Sequence, residues 1–235
     1  MKVFEDRTFV ARHDKDSSAV FEHAAFRRCI FVNCTLSDTK DVTRRSTVRD
    51  VALTDCRIEG SAVVGPAVLD EVVIDGLSYH DLVLAFGPLL RHVTLRNRVG
   101  AIKINAEPHM VDRSPAMLAA FAAARAEFYA ATDWALDISE AEFTAFEIDG
   151  VPAQLIRRDR DTQAVVRRAT LAGTERHNTI PAWNEHWSNV IELALEDDSE
   201  YDIVLVAPKA APKRTFRKLV DGIQNLRDLG IAEPD

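Results

Sequence analysis

The sequence has no apolar run near the roughly 20 residues that a membrane-spanning helix needs, so it predicts no transmembrane segment. Its first residues are charged and lack the apolar core of a signal peptide, so we expect no secretory leader. Only three cysteines are present, an odd number that argues against a disulfide framework. These absences favour the cytoplasm, where thiols stay reduced.

Recognisable catalytic and metal-binding motifs are also missing. The seven histidines form no HxH or HExxH pattern, and no CxxC accompanies them. We therefore expect no catalytic residue, no cofactor and no metal. Cys29, Cys34 and Cys56 are interpreted as small buried thiols of the core.

Charge is unevenly distributed along the chain. Residues 1–105 carry a net charge of +1, whereas residues 106–235 carry −9. The excess of acidic residues disfavours contact with phosphates, so direct binding of nucleic acid is not expected. Basic pairs such as Arg157-Arg158 lie beside acids or turns and have no interleaved aromatic residues on which bases could stack.

Large apolar residues recur every five positions in the front half of the chain. The residue two positions before each of them is small or medium in eight of ten cases, and a polar residue or glycine often closes the block of five. A period of five fits neither a helix nor a flat strand, but it fits a coil that turns a corner every five residues. The apolar series is Phe21, Phe26, Phe31 and Leu36, then, after a break at 38–45, Val48, Leu53, Ile58, Val63, Val68 and Val73.

Blocks such as Ala24–Arg28, Cys29–Asn33 and Cys56–Gly60 resemble pentapeptide repeats. The resemblance covers residues 19–75 and extends to 136–150. It implies a right-handed, four-sided β-helix with about four pentads per coil. The functions of that family are mixed, so none is carried over. An ordinary β-sandwich with chance spacing is the alternative.

The resemblance predicts the packing of the front half. Phe26, Phe31, Leu53 and Ile58 should be buried and stack in columns between coils. The small inward residue is replaced at Pro66 and Glu71, and 76–90 is irregular, so the last coils should be distorted.

A helix should follow the repeats. Ser114 is a good N-cap, Pro115 suits the first helical position, and Met117, Phe121 and Phe128 lie on one stripe with Leu118 and Ala124. The period of five then returns at Ile138, Phe143 and Ile148. We predict that 136–150 pairs with or stacks on an earlier coil, and that the helix covers the end of the solenoid. An unrelated small β-unit is the alternative.

In the remaining chain, the sequence predicts a hairpin over Gln154–Arg168 and a helix over Asn189–Glu196. It also predicts a buried strand within YDIVLVAP, residues 201–208, and an amphipathic helix over Pro212–Leu229 in which Leu229 faces inward. The fold class is therefore mostly β: a right-handed β-helix, a pentapeptide-repeat-like solenoid, with an inserted helix and a C-terminal α+β unit. The expected domains are 1–156, with a helical excursion over 112–132, and 157–235.

Aromatic and titratable groups concentrate in one cluster, which consists of Trp183, Glu185, His186 and Trp187. Three interpretations are open. The tryptophans could pack the second half onto the solenoid, the cluster could be a partner-binding patch, because tryptophan is enriched at binding hot spots, or it could be an enzyme site.

Long stacked faces favour binding over the enclosure of a small substrate. We therefore expect a non-catalytic intracellular protein-interaction or regulatory protein whose partner is another protein, with a homodimer as a further option. One alternative function is an acidic DNA mimic acting on a topoisomerase, which the near-neutral front half disfavours. The other is an enzyme with a site near Trp183–Trp187.

Overall fold

A computed structural model of the chain describes residues 1–108, 114–171, 185–196 and 199–233. Within these ranges the chain is mostly strand with a few helices, as predicted. One large sheet contains β1 (Lys2–Glu5), β2 (Thr8–Val10), β3 (His13–Lys15), β4 (Val20–Arg27), β5 (Ile30–Asp38), β6 (Thr47–Val64), β7 (Val68–Ser78), β8 (Leu82–Phe86), β9 (Leu89–Arg91), β10 (Val93–Asn105), β11 (Leu136–Ile148) and β12 (Ile156–Arg157). A second sheet contains β13 (Gln163–Val166) and β14 (Ile203–Val206). The helices are α1 (Pro115–Ala130), α2 (Arg168–Leu171), α3 (Glu185–Glu196) and α4 (Lys213–Asp228), and 3₁₀ turns cover Val42–Arg44 and Ala153–Leu155.

The described strands of the large sheet pair only in parallel. Val51 pairs with Val72, and Val73 pairs with Thr94, in each case 21 residues further along the chain. Four strands close a ring, because β7 and β8 each pair with both β6 and β10. The arrangement is consistent with a β-helix-like solenoid. We call one repeat of this register a coil.

Corners of the coils are marked by residues with positive φ, which recur at intervals of five. Most of them lie two residues after a large apolar residue, as Asp6 follows Phe4 and Arg28 follows Phe26. Glycine, Asp and Asn tolerate this left-handed conformation best, which explains the polar residue or glycine that closes many blocks of five. The corners with positive φ include Asp6, Ala11, His23, Arg28, Asn33, Asp50, Asp55, Gly60, Glu71 and Gly76.

The predicted apolar columns form between coils. Phe26 is in register with Leu53, and Phe31 is in register with Ile58. The Phe26 ring also stacks on Phe4, with the ring centres 4.9 Å apart. Stacking is thus confirmed, but all four predicted residues are only partly buried. The fully buried positions belong to the smaller residues two places earlier, namely Ala24, Cys29, Val51 and Cys56.

The predicted phase of the apolar series is wrong after Ile58. The register between β5 and β6 shifts by one residue opposite Asn33, so Leu36 pairs with Val64 and not with Val63. The later inward residues are accordingly Leu69 and Ile74, which pair with Val48 and Leu53; Val68 and Val73 do not take these positions. The prediction that Pro66 and Glu71 replace small inward residues is also wrong, because buried Ala67 and Val72 occupy those positions.

The chain returns to the large sheet after a helix. Ser114 caps α1 by accepting a hydrogen bond from the backbone N–H of Met117. After the helix, β11 pairs in parallel with β10 along most of its length, and Ile138 and Phe143 are buried. This confirms that 136–150 pairs with earlier strands. Helix α1 is therefore inserted between two neighbouring strands of one sheet.

The predicted hairpin over Gln154–Arg168 is wrong. Its first arm, β12, pairs in parallel with β11, and its second arm, β13, pairs antiparallel with β14. The other predicted elements are confirmed: Asn189–Glu196 lies in α3, YDIVLVAP contains β14, and Pro212 caps α4. Leu229 is exposed and does not face inward.

The second sheet packs against both parts of the molecule. Val165 and Val204 belong to the core of the large sheet, whereas Val166 and Leu205 belong to a second core with α3 and α4. Side chains of neighbouring strand residues point to opposite faces, so a two-stranded sheet can serve both cores. None of the helices in the described ranges has the length and apolar character needed to cross a bilayer.

Candidate functional site

The predicted cluster at 183–187 is only partly described, and its central tryptophan is not on the surface. Trp187 is 2% exposed, and its indole Nε1 donates a hydrogen bond of 2.9 Å to the carbonyl of Leu219 in α4. His186 is exposed, with its ring edge-on to Trp187 at 4.7 Å between centres. Although the residue as a whole is exposed, partial desolvation of its imidazole lowers the pKa of His186.

Trp183 and the side chain of Glu185 lie outside the described residues. Of the four predicted residues, His186 and Trp187 are described, and their rings are in contact. Trp187 joins α3 to α4, which is the packing role expected for a buried indole with a satisfied N–H. The patch as a binding surface stays a prediction.

The three cysteines are in reach of backbone carbonyls of the preceding coil. Cys29 Sγ lies 3.5 Å from the Phe4 carbonyl, and Cys34 Sγ lies 3.5 Å from that of Phe9. Cys56 is buried, and burial raises the pKa of its thiol. In the described ranges, no group of three or more His, Cys, Asp or Glu side chains is arranged to hold a metal.

The first coil leaves one edge of the large sheet unpaired among the described residues. β1 pairs only with β4, and β2 and β3 pair only with β5. The other side of each of these three strands therefore has backbone N–H and C=O groups without a partner strand in the described ranges. Such an edge is a template for pairing with another chain.

Apolar side chains accompany the unpaired edge. Val3 and Val10 lie on β1 and β2, while Val20 and Phe21 begin β4 at a point where the first coil supplies no neighbour. Phe21 is in register with Val48, so it belongs to the inward series predicted from the sequence, but no earlier residue covers it. Their exposed fractions are 50% for Val3, 56% for Val10, 59% for Val20 and 44% for Phe21.

Acidic side chains on the outer faces of the sheet are paired with arginines of neighbouring coils. Arg28 donates hydrogen bonds to Glu5 and Asp6, at 2.7 and 2.8 Å. Asp70 lies between Arg49 and Arg91 and accepts hydrogen bonds from both. At these positions the outer faces carry alternating negative and positive charges.

A cavity of about 290 Å³ lies where the large sheet meets the second sheet. It is lined by Ile156, Arg157, Arg158, Arg160 and Gln163. The guanidinium carbon of Arg157 lies 4.0 Å from the centre of the Trp134 ring, and Arg158 forms an ion pair with Glu233 at 3.7 Å. Two of the three arginines therefore already have partners within the protein.

Sequence reasoning missed the unpaired edge for a physical reason. The segment 1–18 contains Phe4 and Phe9 with the same spacing of five, but Asp14 stands where the next apolar residue would fall, so the continuous series begins at Phe21. The extra coil could have been found from Phe4 and Phe9, each followed two residues later by a corner residue, Asp6 or Ala11.

No protein-family model, curated protein or solved structure matches the chain.

Proposed function

We propose that the protein is a non-catalytic intracellular interaction protein and that another protein docks on the edge formed by β1, β2 and β3. The observation that carries this proposal is the unpaired parallel edge, together with four exposed apolar side chains beside it. Addition of a partner strand to an exposed edge supplies main-chain hydrogen bonds, and adjacent apolar side chains supply buried area.

The proposed fold is a pentapeptide-repeat-like right-handed β-helix. The 21-residue register and the left-handed corner at intervals of five support it. In such a fold the first coil has neighbours on one side only, and its uncovered end is the place where apolar core and unpaired backbone coincide.

The two alternative functions gain less support. An acidic DNA mimic needs a continuous negative face, whereas Asp70 and Asp75 are paired with arginines. An enzyme site near Trp183–Trp187 would need Trp187 or its neighbours to line a cavity, whereas Trp187 is packed against α4.

The test compares variants of the full-length chain in an affinity purification from native cell extract. The edge variant combines Val10→Lys and Val20→Lys, which place charges beside the edge without removing a buried side chain. The control is Leu193→Lys, at an exposed leucine of α3, 64% accessible.

A stoichiometric partner retained by the wild type and by Leu193→Lys, but lost by the edge variant, would support the proposal. A partner retained by all three proteins would contradict docking at this edge. The mass of the purified chain in solution gives a separate result: a dimer that the edge variant dissociates would identify the partner as a second copy.

A further inference from the structure

Arg45 is a partly buried arginine beside helix α1. It follows the 3₁₀ turn Val42–Arg44, and its Nε atom is buried without a hydrogen bond. Its guanidinium carbon lies 4.7 Å from the centre of the Phe121 ring in α1. Buried charges in proteins are normally paired, because removing them from water is costly.

A second arginine lies on the same face of α1. Phe121, Arg125 and Tyr129 are spaced four residues apart, so they form one stripe, and all three are buried. Arg125 donates hydrogen bonds to the Tyr201 hydroxyl at 3.0 Å and to the Ala106 carbonyl at 2.6 Å. Both acceptors are neutral, so neither balances the charge of Arg125.

Among the described residues, no negative charge compensates the two arginines. Burial, and after it the neighbouring charge of Arg125, lower the pKa of Arg45 to about 10. Burial raises the pKa of Tyr129, which keeps that phenol neutral. Within the described ranges, no carboxylate forms an ion pair with Arg45 or Arg125.

The cavity lined by Arg157, Arg158 and Arg160 differs in this respect. There, Glu233 pairs with Arg158 and the Trp134 ring covers Arg157. Arg45 and Arg125, by contrast, are half-buried and buried without an ion-pair partner among the described residues.

A guanidinium group offers a planar fork of N–H donors that matches the two oxygens of a carboxylate or phosphate. Arg45 Nε makes no hydrogen bond within the described part of the chain, and Phe121 supports one face of the guanidinium. We infer that Arg45 and Arg125 form a binding site for the oxyanion group, carboxylate or phosphate, of a small molecule, between α1 and the segment that precedes β6. This site is distinct from the proposed docking edge, and its function does not depend on that edge.

Bound anion should stabilise the fold, because a ligand that binds only the folded state raises the melting temperature with increasing concentration. The experiment measures thermal unfolding of the full-length chain in sodium phosphate and, separately, in sodium succinate. Sodium chloride keeps the ionic strength constant throughout. Isothermal titration calorimetry of phosphate and of succinate into the wild type measures binding directly.

The variant is Arg45→Met, which keeps the aliphatic stem and removes the charge. Without anion it should melt at or above the wild-type temperature, because an unbalanced buried charge has been removed. With anion it should lose the stabilisation seen in the wild type. The matched control, Arg160→Met, removes an exposed arginine at the other cavity and should keep the wild-type response.

A saturable rise with phosphate alone identifies a phosphate site, and a rise with succinate alone identifies a carboxylate site. Both outcomes support the inference, as does a rise with each anion. If neither anion raises the melting temperature above chloride and calorimetry detects no binding, the inference is wrong. It is equally wrong if Arg45→Met responds like the wild type.

Discussion

Arg91 donates two hydrogen bonds to the carboxylate of Asp70, from Nε at 2.8 Å and from Nη2 at 2.7 Å. The two residues are 21 positions apart and pair in register between β7 and β9. Asp70 is 5% exposed, and Arg49 approaches it from the preceding coil. The carboxylate therefore joins three successive coils.

Replacement of Asp70 by Asn should lower the free energy of unfolding by about 1–3 kcal/mol at pH 7, because charge-assisted hydrogen bonds are lost. The hydrogen bond from Arg91 lowers the pKa of Asp70. Its contribution to stability is thus complete above the ordinary aspartate pKa of about 4 and disappears as the pH falls through the lowered value. Urea unfolding at pH 7, 5 and 3 should show the difference shrinking only at the lowest pH.

The control for this series is Asp38→Asn. Asp38 lies 4.0 Å from Lys15, and both side chains are exposed. Such a pair is worth at most about 1 kcal/mol. An equal loss in the two variants at pH 7, or an Asp70 effect that is independent of pH, would contradict the assigned role of Asp70.

Two phenylalanines of the apolar columns should contribute differently to stability, because they are buried to different extents. Phe143 is 1% exposed, so Phe143→Ala should cost about 3–5 kcal/mol by leaving a cavity. Phe31 stacks on Phe9 but is partly exposed, and its replacement by Ala should cost about 1–3 kcal/mol. Urea unfolding measures the free energy of unfolding of both variants. A larger decrease for Phe31→Ala than for Phe143→Ala would contradict the described burial.

A corner residue should tolerate glycine better than a strand residue. Ala11 has φ of 49°, a conformation that costs an alanine about 1–2 kcal/mol. Because glycine also loses more entropy on folding, Ala11→Gly should stabilise the protein by only about 0.5–1 kcal/mol. Ala52→Gly, within β6, should instead destabilise it by about 1 kcal/mol. Thermal unfolding measures the melting temperatures of the two variants. A lower melting temperature for both would argue against strain at Ala11.

The sequence predicts the period of five and the helix after it, but not the phase of the later coils. At each ambiguous point two adjacent residues are both apolar: Val63 and Val64, Val68 and Leu69, Val73 and Ile74. A shift of the repeat by one residue leaves the apolar pattern unchanged at these points. Only the hydrogen-bond register shows which of the two adjacent residues faces inward.

Two other differences arise from tertiary structure. The strands of the expected hairpin at Gln154–Arg168 are close in sequence, but β12 continues the parallel sheet and β13 pairs with β14, so tertiary packing overrides proximity. Arg125 was missed at the candidate anion site because an arginine on an amphipathic helix is ordinarily assigned to the solvent face.

Cutting the chain after Asn105 should give an aggregation-prone fragment. β11 covers β10 in the intact chain, and the fragment would expose that edge together with its buried neighbours, such as Leu95 and Ile102. Light scattering and urea unfolding of residues 1–105, compared with the full chain, test this. A soluble fragment that unfolds cooperatively would show that the later segments are independent of the first coils.

Hydrogen–deuterium exchange tests the proposed docking edge most directly. The measurement compares the free full-length chain with its complex, recovered from native extract by affinity purification. We predict that amides of β1, β2 and β3 exchange more slowly in the complex, because the partner pairs with or covers this edge. Unchanged exchange over residues 2–15, with protection confined to another surface, would contradict docking at the first coil.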